Sequence, residues 1–567
     1  MTKLQVPTER VLANLRQAAA ALEGEAIDGT SSHFRRKPKL VLIVSVSDAQ
    51  TRAICATGVG NTLDTAWRAA IAHLRKRMPD EDRWQWIKID VVRSIRVATP
   101  PEVLAELSGR RRNYFRHGIA FDPNFNTALL EQELNGIAAW ACDGGRPIGL
   151  NFERINRYLQ TSRRQPPLSS GVQQLPAWYL FDTKSLFGDR TGEVRILADC
   201  GFGQGIRAAP MVADEIENLI DNAGMYLTRQ MRDDGSFVYG YFPAYDAVIP
   251  TYNILRHCGT LYAMLEAWEA AGNGEIGRHV PRGIDHVLRT AMRRDGDRLF
   301  VVDHANHGEI KLGAQAVLVL TIAKFTSLTR DARYLPVARA LAKGIVERFL
   351  DPASGAFVHV LHGEALAVKD RFRIVFYDGE AVLALLRLHE IDRDPLWLTS
   401  AIKAFEHFIR TDHWKHHDHW LAYCANEITR HHPEQRYFEF GLKNGFGNLP
   451  FIRERETAYP TFLELLMATL LLVDTMKTTG NPLPPPYDVR ALVEAIDHRA
   501  EHQRFACFYP EMAMYFKAPQ RIAGSFFSRH HAFRVRIDDV EHFISGYCLY
   551  LYNVVRIRRR MSRQAER

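Results

Sequence analysis

Four polar side chains crowd one short stretch, Pro250-Thr251-Tyr252-Asn253-Ile254-Leu255-Arg256-His257, which runs on into the mostly apolar residues 258–268. Ile254, Cys258, Leu261, Leu265 and Trp268 recur at helical spacing, and Pro250 suits a first helical turn, where its missing N–H is not needed. A helix starting there sets Tyr252 over Arg256 and Asn253 over His257. A helix apolar over most of its circumference belongs in an interior. Burying Arg and His there is costly unless they are paired or line a wet cavity. Proton transfer is the chemistry such groups suit, with Tyr and His as acid and base and Arg steadying developing negative charge. Capping and loop bridging explain the same groups without chemistry, because structural ion-pair networks also occur in large helical proteins.

The pattern recurs. The opening turns of other apolar segments supply Lys311, then Tyr377, Asp378 and Glu380, then Asp418, His419 and Trp420. The run 453–459 adds Glu456 and Tyr459, and the run 534–542 adds Arg536, Asp538 and His542. Asp378, Asp418 and Asp539 read equally well as helix N-caps. Six such openings are nevertheless hard to attribute to capping alone. His416-His417-Asp418-His419 invites a metal reading, but adjacent histidines point to different helix faces and no His-Glu-x-x-His spacing is present. An exposed loop fits better, and no metal is expected. Gly201-Phe202-Gly203-Gln204-Gly205 lacks the strand–helix context of a dinucleotide fingerprint, and there is no phosphate loop and no Gly-x-Ser-x-Gly elbow. No cofactor is expected.

The elements that must position these residues fall into two regions. Residues 1–37 read as an amphipathic helix followed by a polar segment. Strands at 39–46 and 51–57 form a hairpin through Ser47-Asp48-Ala49-Gln50. A helix at 62–77, a strand at 86–92, a strand at 114–121 and a helix at 127–134 continue an α+β arrangement. Residues 160–205 read as a connector, which gives domains at 1–195 and 205–560. Beyond 205, amphipathic helices (211–231, 279–293, 333–350, 396–410) alternate with helices apolar nearly all round (250–271, 310–327, 379–391, 460–476). Segments at 418–429, 434–445, 487–503 and 539–555 complete the series. One apolar stripe means one covered side, and an apolar circumference means cover on both sides. About twelve helices in such pairs pack most simply as two concentric rings, a mainly α (α/α)6 toroid preceded by a smaller α+β domain. An open solenoid is the competitor, but no strict repeat length is visible. A closed ring requires the last helix, near His542, to meet the first.

Composition sets limits. The 567 residues are 46% hydrophobic and 24% charged, with a formal charge of +8. The basic residues cluster in three short runs, Arg35-Arg36-Lys37, Arg110-Arg111-Arg112 and Arg556-Ile557-Arg558-Arg559-Arg560, rather than in one stripe with interleaved aromatics. That disfavours nucleic acid and favours an acidic ligand. The seven cysteines are scattered without paired spacing, which fits a reducing compartment. Arg10, Arg16 and Glu23 break any signal peptide, and the longest apolar run, 465–473, is too short to span a bilayer. A cytoplasmic protein is expected.

The alternation, the turns Gly235-Ser236-Phe237 and Gly355-Ala356-Phe357, and Phe376-Tyr377-Asp378-Gly379-Glu380-Ala381 together resemble the six-hairpin glycosidase-like superfamily. That group includes glycoside hydrolases, N-acylglucosamine 2-epimerases, the C-terminal domain of glucuronyl C5-epimerases and toroidal uronate lyases. The resemblance implies a carbohydrate-shaped cavity more firmly than any reaction. The hairpin, the helix after it and Gly118-Ile119-Ala120-Phe121-Asp122 weakly resemble the AMMECR-like α+β domain, a likeness that transfers no residues.

On that footing the leading expectation is epimerase or lyase chemistry on an acidic, uronate-containing sugar. Tyr252, His257, Tyr377 and His419 then serve as acid and base, with Arg256 or Arg536 on the carboxylate. Asn253, Lys311, Trp420, Tyr459, Asp538 and His542 join Arg256 and Arg536 as binding residues. The alternative is a hydrolase with paired carboxylates from Asp378, Glu380, Glu456 and Asp538. A third reading is a non-enzymatic glycan- or protein-binding component whose N-terminal domain docks to a protein partner.

Overall fold

The computed structural model describes residues 5–22 and 40–558. They form two compact units. The first runs up to Pro210 and takes in Tyr241–Val248 and Phe505–Val535; the second comprises Met211–Gly240, Ile249–Arg504 and the residues from Arg536 onward. The run Arg35-Arg36-Lys37, the polar segment that leads to it, and Arg559 and Arg560 lie outside the described residues.

The first unit is α+β. Its antiparallel sheet runs Ile54–Gly60, Leu40–Ser47, Trp86–Ala98, Trp178–Asp189, Gly118–Ala120, Ala128–Leu129, with Val194–Ile196 pairing beside Trp178–Asp189. The hairpin turn is held by Asp48, whose carboxylate accepts the backbone N–H groups of Gln50 and Thr51. A Thr62/Thr65 capping box starts the helix Leu63–Arg77. The expected connector is a misreading in part, because Trp178–Asp189 is a central strand. Its side chains feed two cores, Trp178 and Leu180 on one face and Tyr179 and Phe181 on the other, so it lacks the polar alternation that marks a half-exposed strand. Phe505–Val535 also departs from the expected contiguous second domain. It is bound into the first unit by Glu511, which takes a bidentate ion pair from Arg207 at 2.6–2.8 Å, and by the Tyr515 carbonyl, which accepts from Arg52.

The second unit is a closed double ring. Its inner helices are, in order, Ile254–Ala271, Leu312–Thr329, Phe376–Asp392, His419–His431, Thr461–Thr478 and Ile537–Tyr550. Each packs on the next, and the sixth packs back on the first. That last contact closes the ring and excludes a solenoid. The outer helices are Ala213–Gln230, Gly274–Thr290, Leu335–Gly344, Pro395–Arg410, Gln435–Phe446 and Val489–Arg504. The contrast in patterning has its expected cause. The outer helix Gly274–Thr290 buries one stripe of Ile276, Val280, Ile284 and Val287, while the second inner helix buries nearly every residue from Leu312 to Ala323. That second inner helix is long and apolar enough to cross a membrane, but here it forms ring wall.

The first inner helix begins at Ile254, not at Pro250. Asn253 is its N-cap, its Oδ1 accepting the Leu255 N–H at 3.0 Å. A side-chain cap satisfies a backbone donor that proline at position 250 cannot reach. Tyr252 and Asn253 therefore precede the helix, and the predicted pairing of Tyr252 with Arg256 along one helical face does not form.

Candidate functional site

Neighbouring inner helices lie side by side, opening turn against opening turn, and three glycines let their backbones approach closely. Glu380 of the third helix and Tyr377 lie against Gly313 of the second, where a methyl group would collide with both. Asp418, capping the fourth helix, lies against Gly379 of the third. Glu541 of the sixth lies against Gly259 of the first. Each notch takes a carboxyl group out of water, which disfavours its charged form. Burial raises Glu380 to about 7, although Arg256 opposes the shift. It likewise raises Asp418 to about 8 against two backbone N–H donors, and Glu541 to about 8 against His542 and Arg256. Glu380 Oε2, Asp418 Oδ2 and Asp538 Oδ1 are buried without a hydrogen-bond partner. Buried polar atoms are normally paired, so these three oxygens hold unused bonding capacity in the ring centre.

The guanidinium groups are engaged. Arg256 Nε lies 3.4 Å from Asp538 Oδ2, and Asp538, Glu541 and Glu380 keep it charged despite its burial. Arg536 binds Asp539 through two nitrogens at 2.8 and 3.1 Å and Asp538 at 3.2 Å.

Two imidazoles meet beside these carboxyls. His542 Nδ1 donates to Glu464 Oε1 at 2.9 Å, and Tyr423 donates its hydroxyl to Glu464 Oε2 at 2.9 Å. Burial would lower the His542 pKa, but Glu464 raises it to about 9, so this ring is an imidazolium at neutral pH. His419 is the opposite case. Burial drives its pKa down to about 3, and its Nε2 is buried without a partner. Its Nδ1 lies 3.1 Å from Asp418 Oδ1. The two rings stand edge to face with centroids 5.1 Å apart, and Trp420 packs beside them. A neutral imidazole and a charged one thus sit side by side.

The structure gathers Arg256, Tyr377, Glu380, Asp418, His419, Trp420, Arg536, Asp538 and His542 of the sequence candidates. It turns others away. His257 is wholly buried and spends both nitrogens, Nε2 on the Gly283 carbonyl of an outer helix at 2.9 Å and Nδ1 on the Tyr252 hydroxyl at 2.6 Å. The Tyr252 oxygen also accepts the Phe237 N–H. These two bind the inner ring to the outer one. Asn253 is a cap, and Lys311 is paired with Asp303 at 2.7 Å. Tyr459 is exposed and stacks on Phe462, and Glu456 stays in the loop before the fifth inner helix. Asp378 is clasped by His359 at 3.2 Å and His413 at 3.5 Å, which hold its pKa below the usual value although burial would raise it.

Sequence reasoning missed Glu464, Tyr423 and Glu541. Glu464 carried a signal, as a lone carboxylate opening a long apolar helix; Glu541 stood beside the chosen His542. His419, Glu464 and His542 each offer a ligand atom, all within 4.8 Å of one another, and are the described residues best arranged to hold a metal ion. Each Glu464 oxygen has a hydrogen-bond partner, His542 on one and Tyr423 on the other.

No family model and no curated protein matches the chain. It is similar to the solved structure of a sugar epimerase from a ruminal bacterium, at 11% identity over 60% of this chain and 99% of that one, with a TM-score of 0.48. A cellobiose 2-epimerase from Bacillus thermoamylovorans B4167 gives 10% identity over 60% and 100% at 0.46. A GH76A alpha-1,6-mannanase from Salegentibacter sp. HEL1_6 gives 14% over 59% and 98% at 0.40. The helix contacts, rather than these distant likenesses, carry the fold: the second unit is a closed (α/α)6 ring, the six-hairpin architecture that the sequence resembles.

Proposed function

We propose that the second unit is a sugar isomerase or epimerase that moves a proton at the carbon beside the substrate carbonyl, with His419 as base and His542 as acid. The observation that carries this reading is the pair of adjacent buried imidazoles held in opposite protonation states. His419 Nε2 takes the C2 proton of an open-chain aldose. The C–H electron pair becomes the second bond between C1 and C2, and His542 delivers its proton to the carbonyl oxygen to give an enediol. Return of a proton to C1, with loss of the O2 proton, gives the ketose, and return to C2, with the O1 proton going back to His542, gives the aldose or its epimer. No electrons are gained or lost. The two imidazoles lie side by side, an arrangement that favours transfer between C1 and C2 on one face of a substrate over inversion. Asp418 and Glu541, mostly protonated near pH 7, and Glu380, about half protonated there, can donate hydrogen bonds to sugar hydroxyls.

The same geometry favours a neutral sugar over the acidic one expected from the sequence. Arg256 and Arg536 both have carboxylate partners. A substrate carboxylate would find no unpaired guanidinium here and would add a further acid to a buried site already rich in carboxyl groups, which is costly. The test is proton–deuterium exchange at C2 of mannose, glucose and cellobiose in D2O, followed by NMR. Exchange with at least one neutral aldose is expected. Absence of exchange, with release of reducing ends from neutral oligosaccharides instead, would favour hydrolysis. That second reading draws on the neutral carboxyl of Glu380, which could serve as a general acid.

A further inference from the structure

Just before the third inner helix the chain makes a hairpin, Val360–His362 with Val368–Asp370, that joins Glu309–Lys311 in a small sheet. The hairpin and the segment after it expose three apolar side chains in one short stretch of chain: Phe372 at 58%, Val368 at 44% and Ile374 at 37%. Exposed apolar residues scattered singly need no explanation, but several in one stretch on a fixed support do. The support here is fixed. Arg373 grips Glu309 through two nitrogens at 2.6 and 3.0 Å, which with Lys369 lowers Glu309 to about 2. The Arg373 and Ile374 N–H groups both donate to His359 Nδ1, at 2.9 and 3.3 Å, so His359 Nε2 carries the proton and donates to Asp378. The Phe372 ring lies on that locked imidazole, with centroids 4.7 Å apart.

From Phe372 a series of contacts leads inward. His359 meets Tyr377 at 5.5 Å between centroids, and Tyr377 shares the Gly313 notch with Glu380. The exposed ring is thus linked through two buried rings to the notch that holds Glu380. Lys369 and Arg373 are both neutralised by Glu309, with Asp370 added on Arg373, so the patch offers an apolar surface rather than an anion site. A pyranose has the complementary chemistry, since one of its faces presents C–H groups that pack on an aromatic ring while its hydroxyls point outward into water.

We propose that Phe372 is the platform of an outer sugar subsite, so that the substrate is a neutral oligosaccharide whose reducing-end unit enters the ring while the next unit lies on Phe372. This rests on the reading of the ring as a sugar site. The test compares wild type, Phe372→Ala and Phe372→Trp with mannose and glucose against cellobiose and mannobiose, by calorimetric titration and by exchange in D2O. Phe372→Ala should weaken disaccharide binding about tenfold, leave the monosaccharides within twofold, and keep the melting temperature; Phe372→Trp should restore the disaccharides. Equal effects on mono- and disaccharides, or none, would overturn the subsite, as would failure of wild type to bind either disaccharide. If disaccharides bind through Phe372 but exchange no proton, the proton-transfer reading falls and the subsite stands. If monosaccharides exchange and disaccharides gain nothing, the reverse holds.

Discussion

His257 and His419 sit in the opening turns of the first and fourth inner helices, both deeply buried, both with pKa values driven to about 3 by burial. By residue type and position they are equivalent. Their surroundings separate them. His257 faces outward, where the Gly283 carbonyl and the Tyr252 hydroxyl use its two nitrogens. His419 faces His542 of the sixth inner helix, and its Nε2 has no partner. The difference is one of facing, and no residue count along the chain reveals it.

The sharpest way to break this comparison is to delete each ring. His419→Ala should lower kcat by about a hundred- to ten-thousandfold while leaving the thermal midpoint nearly unchanged. His257→Ala should do the reverse, keeping activity per folded molecule but costing about 1–3 kcal/mol for each of the two buried partners it strands, read by denaturant titration. Loss of activity in a stable His257→Ala protein would dissolve the distinction. The notches come next. Gly313→Ala would push Glu380 and Tyr377 off the second inner helix, so it should lower kcat and cost about 1–3 kcal/mol of overpacking.

The pH profile sharpens the acid's role. Wild-type kcat should fall as pH rises through about 9, where His542 loses its proton. Glu464→Gln removes the group that raises that pKa, so the alkaline limb should move toward 6.5, the ordinary histidine value. An unmoved limb would separate His542 from the profile. Stability has its own sign. Glu541 is protonated more readily folded than unfolded, so the stability linked to it is whole below about pH 4.5 and is lost as pH rises to about 8. Glu541→Gln should flatten that slope. The smallest effect belongs to the cap. Asn253→Ala should cost about 1 kcal/mol with kcat intact.

Much of the ring was legible in sequence because covering a helix on one side or on both leaves different patterns. The contrast between residues 274–290 and 312–329 is plain without coordinates. The site was legible only in part. Polar residues at helix openings were the right place to look, yet Tyr252 and His257 read as strongly as His419, because a helix start displaced from Pro250 to Ile254 shifts which side chains share a face. Gly259, Gly313 and Gly379 carry no chemistry of their own, so nothing marked them as the notches that bury the carboxyls. Phe505–Val535 was hidden for another reason. It is a run of aromatics and short turns between two ring helices, and its attachment to the first unit is a long-range fact written in pairs such as Arg207 with Glu511.

The central claim is that the ring moves a substrate proton through His419. Wild type, His257→Ala and His419→Ala should be incubated side by side with mannose, glucose and cellobiose in D2O, and C2 deuteration followed by NMR. Deuteration by wild type and His257→Ala, and its absence with His419→Ala, is the predicted result. Exchange by His419→Ala at the wild-type rate, or no exchange by wild type with any of the three sugars, would contradict it.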